Sequence, residues 1–298
     1  MLYNNLSGYL KTKYGKRVGK ICIDGGFSCP NRDGTCGRGG CIFCGERGAG
    51  EHIDPTVSIR EQVLCGLEKG RHEGYIAYFQ NFTNTYAPTD VLKERYDSAL
   101  IDKRILALAI GTRPDCITEE TAHLISSYTD RVDVWVELGL QSASDKTAEV
   151  INRGYKTEVY LKASEILRKY SIPFVTHMII GLPNEGEREI DSTVDLINKS
   201  ASSGIKIHSI YVMKGTRLEE MYREKLYTPP TFEEYTRLAA RSIERLRPDI
   251  TVHRITGDCP SGLLIAPTWN KDKNAVIEKI RSILEEQKTY QGALYKSE

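Results

Sequence analysis

Short β-branched runs alternate with helix-period segments along the whole chain, and this alternation constrains the fold more than any other feature. The runs are Gly19–Asp24, Tyr75–Gln80, Ile105–Gly111, Val132–Leu140, Pro173–Leu182 and Ile205–Met213, with a further candidate at Ile250–Ile255. Several are apolar at nearly every position, which suits parallel strands covered on both faces. Between them, Thr231 and Glu234 make a capping-box signature ahead of Phe232, Tyr235, Leu238, Ala239, Ile243 and Leu246, and Pro248 closes that run. Ile190, Val194, Ile197 and Ala201 mark another helix over Glu187–Ser203, stopped at Gly204. Strands and helices in this order predict an α/β fold with a parallel sheet and right-handed crossovers. Six or seven such units fit a partial (β/α)6, TIM-like barrel with a C-terminal extension. No Pro/Gly/Ser-rich linker divides the chain. Residues 1–257 therefore read as one barrel domain, and 258–298, with an amphipathic helix near Ala275–Gln287, as an extension packed on it.

No run of about 18 apolar residues predicts a transmembrane helix, and the amino terminus lacks the apolar stretch of a signal peptide. The expected compartment is the cytoplasm, where cysteines stay reduced or bind metals rather than pair. A net charge of +1 selects no partner by itself. Its distribution is uneven: residues 1–20 carry Lys11, Lys13, Lys16, Arg17 and Lys20 beside Tyr3, Tyr9 and Tyr14, and no acidic residue. Such a segment either tracks a phosphate backbone and stacks on bases or forms a solvated basic edge.

One stretch breaks the alternation. Gly25–Ile53 is rich in Gly and Cys, has no periodicity and follows the first strand, where a barrel gathers its functional loops. It contains CPNRDGTCGRGGCIFC, Cys29 to Cys44. Cys41 and Cys44 can reach one metal or cluster from a single tight turn, and Gly39 and Gly40 allow the positive φ angles such a turn uses. Cys29 or Cys36 can supply a third thiolate. A structural zinc site needs four ligands, commonly from two CxxC or His pairs, and the chain has no second CxxC and only His52 close downstream. Three thiolates on a [4Fe–4S] cluster are the alternative, with one iron left open. Cys22, Cys65 and Cys116 read as isolated thiols, and Cys259 as a loop thiol. Glu137, inside the apolar run VDVWVELGL, must be paired or functional if it faces inward, and Arg113 at the end of the third run is a similar case.

Taken with YFQNFTNTYAP, GTRPDC, VELGLQS and HRITGDCP, the stretch CPNRDGT…GGCIFC resembles the radical S-adenosylmethionine (SAM) superfamily, specifically its YtqA/YhcC-type subgroup related to the catalytic subunit of Elongator. The eleven residues between Cys29 and Cys41 depart from the superfamily's common C-x3-C-x2-C spacing and resemble the longer spacing of the Elongator-related subgroup. The family pattern starts at the Cys-Pro after the strand, which implies Cys29, Cys41 and Cys44 as the catalytic cluster ligands. The resemblance also implies SAM chelated to the open iron and cleaved by one electron to a 5′-deoxyadenosyl radical. By similarity to oxygen-independent coproporphyrinogen oxidases, Gln80, Asn81 and Thr83 would face the SAM amino group, although the glycines of that turn are missing here. Gln141 and Arg153 would sit as the Gln/Arg pair, with Arg153 on the SAM carboxylate. His177 would stand near the ribose and Gly181 at the adenine side, while Glu137 and Arg113, singled out by their strand positions alone, are read as facing ribose or substrate. Elongator-type relatives imply tRNA as substrate, at the wobble uridine side chain, and the chemistry implies an electron donor such as flavodoxin or ferredoxin. The rival expectations are a radical SAM enzyme acting on a small molecule and a zinc-stabilised nucleic-acid-binding module without catalysis.

Overall fold

The structure is a computed structural model that describes residues 2–48, 53–54, 56–260 and 262–296. Its strands are β1 (Val18–Ile23), β2 (Gly74–Phe79), β3 (Ile105–Thr112), β4 (Asp133–Gln141), β5 (Phe174–Ile180), β6 (Gly204–Ser209), β7 (Val212–Met213), β8 (Thr251–Arg254) and β9 (Leu264–Ala266). Its helices are α1 (Leu6–Tyr14), α2 (Ile59–Lys69), α3 (Thr89–Ala99), α4 (Glu119–Ser126), α5 (Asp145–Val150), α6 (Thr157–Lys169), α7 (Glu187–Lys199), α8 (Arg217–Arg223), α9 (Phe232–Arg245) and α10 (Lys273–Glu286). Strands β1 to β6 and β8 form one parallel sheet in the order β1-β2-β3-β4-β5-β6-β8, an open half-barrel of the expected class.

Strand alternation divides the side chains between two faces. Ile21, Ile23, Leu108, Ile110, Val134, Val136, Leu138, Ile205 and Ile207 point outward into one large core with the surrounding helices. The capping boxes of α2 (Ser58 with Glu61) and α9 (Thr231 with Glu234) fix where two of those helices begin. The inward face is different in kind. Ile76, Tyr78, Ala107, Ala109, Trp135 and Val175 form a small apolar cluster near the N-terminal strand ends, while Glu137, His177 and Lys206 occupy the next inward positions. Beyond that cluster, Gly111 on β3 and Gly139 on β4 line a cavity in the interior.

Two expectations change, and the basic segment takes a definite place. The run Ile205–Met213 is not one strand: β6 ends at Ser209, and β7 pairs antiparallel with β9 from the C-terminal segment. The helix expected over Glu187–Ser203 ends at Lys199, and Gly204 opens β6 instead of stopping a helix. The basic segment 1–20 does not stand beside the cysteine loop. Its helix α1 inserts Leu10 among Ile76, Ala107, Trp135 and Val175, and Lys13 and Tyr14 bind Asp133, the first residue of β4. It therefore closes the N-terminal end of the half-barrel, opposite the loops at the C-terminal ends. Lys20 lies over the Tyr78 ring, 4.8 Å from its centroid.

Residues 258–260 and 262–296 run back over the sheet's last strands. Asn270 accepts from the Ser209 hydroxyl at 2.6 Å, Val276, Ile280 and Leu284 of α10 join the same core as α9, and Gln291 Oε1 accepts from the backbone N–H of Asn4 at 2.9 Å. Among the described residues, no helix is long and apolar enough to cross a membrane.

Candidate active site

The cysteine loop folds on itself through its backbone. The Cys29 carbonyl accepts from the N–H of Arg32 at 2.8 Å, and the Asn31 carbonyl accepts from Gly40 at 2.9 Å. Gly39 and Gly40 take φ of 81° and 76°, the left-handed region that other residues avoid. A turn from the Cys44 N–H to the Cys41 carbonyl, 3.0 Å, holds these two thiols side by side. The Arg32 guanidinium braces the far end, donating to the carbonyls of Cys44 and Glu46, each at 3.1 Å. A hydrogen bond from Cys41 lowers the Cys44 thiol, and the same bond with burial raises Cys41.

Cys29, Cys41 and Cys44 line one cavity at the C-terminal ends of the strands. Cys36 is exposed and does not. None of the eight cysteines is in a disulfide. The donor set suits a cluster with one open iron: three thiols face one space, and the Asn31 amide nitrogen stands 3.9 Å from Cys41 Sγ. Asn31 Oδ1 is buried there without a hydrogen-bond partner. Among the described residues, no group of three or more His, Cys, Asp or Glu side chains is closed around a single metal ion. His52, weighed above as a zinc ligand, lies outside the described residues.

Six of the nine SAM-contact candidates reach this cavity: Gln80, Thr83, Arg113, Glu137, Gln141 and His177. Thr83 is fully buried and its Oγ1 has no partner, so that hydroxyl is open to a ligand. Gln141 ends β4 at φ 60°, and its Oε1 accepts from the Tyr155 hydroxyl at 3.2 Å. The Arg113 guanidinium pairs with both oxygens of Asp115, at 2.9 and 2.6 Å, and stacks on Tyr155, 4.8 Å from the ring centroid.

The other three candidates do not line the cavity. Arg153 is 0% exposed, and its guanidinium donates to the carbonyls of Leu140, Ser142 and Tyr155 at 2.6, 2.7 and 3.0 Å. Two of these carbonyls flank the end of β4 and the third lies in the segment before α6, and a fixed five-donor fork ties them together. Arg153 holds the backbone that carries Gln141 and does not face a ligand. Asn81 donates to Asp24 at 2.7 Å, tying the turn after β2 to the turn after β1. Gly181 has φ 97°, and a Cβ there would stand 2.6 Å from Ile210 and 2.7 Å from Pro230, so it is a packing glycine. Replacing Arg153 by Met should lower the unfolding free energy by about 3–5 kcal/mol, the range for breaking a buried charged network, measured by urea denaturation.

The cavity floor carries a polar group that the sequence reading saw only in part. Glu137 Oε2 receives the Lys206 ammonium and the His177 Nε2, the latter at 2.8 Å, and Oε1 accepts from Trp135 Nε1 at 3.3 Å. Lys206 also donates to the Tyr78 hydroxyl at 3.2 Å. Burial alone would raise Glu137, but Lys206 and His177 override it and hold the carboxyl well below its usual range. Burial pushes Lys206 down to about 7 against the pull of Glu137, and His177 down to about 4. His177 is therefore neutral at pH 7, and Nε2 must donate, because the carboxylate only accepts. His208 stacks obliquely on His177, ring centroids 5.0 Å apart. Tyr78, Tyr155, Lys206 and His208 were missed in the sequence. Their signal was the alternation itself: in Ile205-Lys206-Ile207-His208 the two polar residues share the face opposite the two isoleucines.

Lys206 has an ordinary value of 10.5 and a folded value near 7, so the unfolded chain binds more protons between those limits. Its contribution to stability therefore rises with pH across that window. The unfolding free energy of the wild type relative to Lys206→Met should increase from pH 7 to pH 9.5. A difference independent of pH would contradict the assignment.

Comparison with known proteins completes the description. Residues 33–197 match the radical SAM superfamily, and residues 202–286 match the C-terminal domain that accompanies it. The chain belongs to the radical SAM superfamily. It is 37% identical to YtqA of Bacillus subtilis, over 98% of this chain and 92% of that one, and 36% identical to YhcC of Escherichia coli, over 91% and 89%. More distantly it is 29% identical to a tRNA uridine(34) acetyltransferase of Dehalococcoides mccartyi, over 61% of this chain and 39% of that protein. The archaeal Elp3 of Methanocaldococcus infernus has the same radical SAM fold, with a TM-score of 0.70 at 18% identity, covering 92% of this chain and 64% of that one. Radical SAM proteins use a [4Fe–4S] cluster and SAM. The matched superfamily span includes Cys36, Cys41 and Cys44 and begins four residues after Cys29; of Cys29 and Cys36, only Cys29 lines the cavity.

Proposed function

We propose that this radical SAM enzyme modifies tRNA at the side chain of the wobble uridine, with its cluster on Cys29, Cys41 and Cys44. What carries the cofactor assignment is the convergence of these three thiols on one cavity whose opposite wall presents Arg113, Gln80, Gln141 and the unpartnered Thr83 hydroxyl. When bound, the cluster and SAM supply one-electron reductive cleavage of a sulfonium. The chain's residues bind, orient and exclude water. Arg113, held by Asp115 and Tyr155, suits the SAM carboxylate through the Nη1 and Nη2 hydrogens not already used on Asp115 and the Arg153 carbonyl. Thr83 and Gln80 suit the amino group. Gly111 and Gly139 leave room for the nucleoside, and Glu137 and His177 offer an acceptor and a neutral imidazole to ribose hydroxyls or to the substrate.

The tRNA assignment is supported by the relatives: one similar protein is a tRNA uridine(34) acetyltransferase, and the archaeal Elp3 shares the fold. The basic N-terminal helix, which attracted attention in the sequence, lies at the far end of the barrel and lends it no support. The test is an anaerobic assay of 5′-deoxyadenosine with and without total tRNA, beside mass spectrometry of tRNA nucleosides from a deletion strain. Stimulation by tRNA and a changed wobble-uridine profile are expected. An unchanged profile with tRNA-independent turnover would remove tRNA as the substrate. In the same assay, Arg113→Met should raise the KM for SAM at least tenfold, the cost of one charge-assisted pairing, which ligand titration would check.

A further inference from the structure

A second, shallow groove lies on the other side of the cysteine loop. Arg32, Gly40, Cys41 and Cys44 line both this groove and the active-site cavity, so among the described residues the loop forms a wall between them. The groove's far side is Gly215, Thr216 and Arg217 at the start of α8. That side is fastened to the loop, since the Leu218 N–H donates to the Ile42 carbonyl at 2.9 Å. Gly39, at φ 81°, has nothing within 4 Å of where a Cβ would stand, so the loop is uncovered at this point. Arg38 and Arg217 are exposed at the rim, and neither guanidinium forms an ion pair with a described residue. Lys214 is exposed beside them, and Glu46 is the one carboxylate among the described lining residues.

We propose that this groove docks an acidic one-electron carrier protein of the ferredoxin or flavodoxin type, which reduces the cluster through the Cys41/Cys44 turn. The proposal rests on the cluster placement given above. Reductive cleavage requires one electron from outside, and SAM and substrate must fill the cavity side of the loop. The groove gives a separate approach to the same two cysteines, so reduction need not wait for the cavity to empty. In the transfer, a reduced ferredoxin or flavodoxin hydroquinone loses one electron, and the oxidised 2+ cluster gains it to become 1+. Unpaired rim arginines attract an acidic partner over several ångströms and speed encounter. A nucleic acid would also be attracted to these charges. However, no aromatic ring lines the groove among the described residues, and single-stranded recognition relies on aromatic stacking platforms.

The test uses the cluster-loaded enzyme with two probes, reduced flavodoxin and reduced ferredoxin, and compares wild type with Arg38→Glu/Arg217→Glu and Arg38→Lys/Arg217→Lys. Titration calorimetry should show at least one probe binding the wild type, more weakly as salt rises. The Glu variant should bind that probe at least tenfold more weakly, and the Lys variant about as wild type. Donor-driven 5′-deoxyadenosine formation should fall with binding, while formation driven by dithionite stays unchanged in both variants. Loss of dithionite-driven turnover in the wild type would defeat the underlying cluster reading. Unaltered donor binding in the Glu variant would overturn the docking proposal alone, as would binding of neither probe by the wild type. If the Glu variant loses tRNA affinity and keeps donor affinity, the groove is an RNA surface and the proposal fails.

Discussion

Cys29→Ala is expected to give a colourless protein that forms no 5′-deoxyadenosine, whereas Cys36→Ala should keep both its iron and its activity. The expectation follows from where the loop places each thiol. Cys29, Cys41 and Cys44 face one cavity, while Cys36, in a turn whose N–H donates to the Pro30 carbonyl at 2.8 Å, faces solvent. Spacing alone does not separate the two, since Cys36-x4-Cys41-x2-Cys44 is the more compact arrangement. A cluster with only two protein thiolates is poorly held, so the effect of removing a true ligand is all or nothing. Iron and acid-labile sulfide analysis after anaerobic reconstitution checks it. The wild type and Cys36→Ala should each carry about four irons and four sulfides per chain. Loss of iron in Cys36→Ala with retention in Cys29→Ala would reassign the ligand.

Glu137→Leu should destabilise the fold strongly, because it leaves the Lys206 ammonium, 2% exposed, without its counter-ion. Breaking a buried pair from one side costs about 3–5 kcal/mol. For a chain of this size that lowers the thermal midpoint by roughly 6–20 °C. His177 loses its acceptor in the same step, so the floor of the cavity loses its organisation as well as its charge. The double variant Glu137→Leu/Lys206→Met should recover most of the loss, since an apolar pair of similar volume has no charge left to desolvate. Scanning calorimetry of the four proteins gives the coupling directly. A single variant as stable as the wild type would mean that Lys206 finds water, and that the floor is wetter than its burial indicates.

Much of the architecture could be read from the chain because the outward strand faces and the helix stripes each repeat with one period. Val134, Val136 and Leu138, or Ile205 and Ile207, announce strands wherever they are met. The inward face was legible only as a set of exceptions, such as Glu137 in an apolar run. Its partner Lys206 lies sixty-nine residues away on a strand two places along the sheet, and nothing local links the two. Arg153 and Arg113 show the same limit from the other side. Both end up near the cavity mouth, and Arg113 Nη1 even donates to the Arg153 carbonyl at 2.9 Å. Arg153 is turned away from the cavity by the carbonyls of Leu140, Ser142 and Tyr155, whereas Arg113 lines it. Strand termini create such local demands for donors, and they appear only once the register is known. The antiparallel pairing of β7 with β9 was hidden for a similar reason: two residues pairing with three across a long loop leave no periodic trace.

The central claim is that one cavity holds a three-cysteine cluster with an iron open to SAM. It is tested most directly by electron paramagnetic resonance of the anaerobically reconstituted, dithionite-reduced protein before and after SAM is added. A reduced [4Fe–4S] signal that changes shape on addition of SAM, and disappears in Cys41→Ala, is the predicted result. A colourless protein with one zinc per chain and no such signal, or a cluster signal indifferent to SAM, would contradict the account.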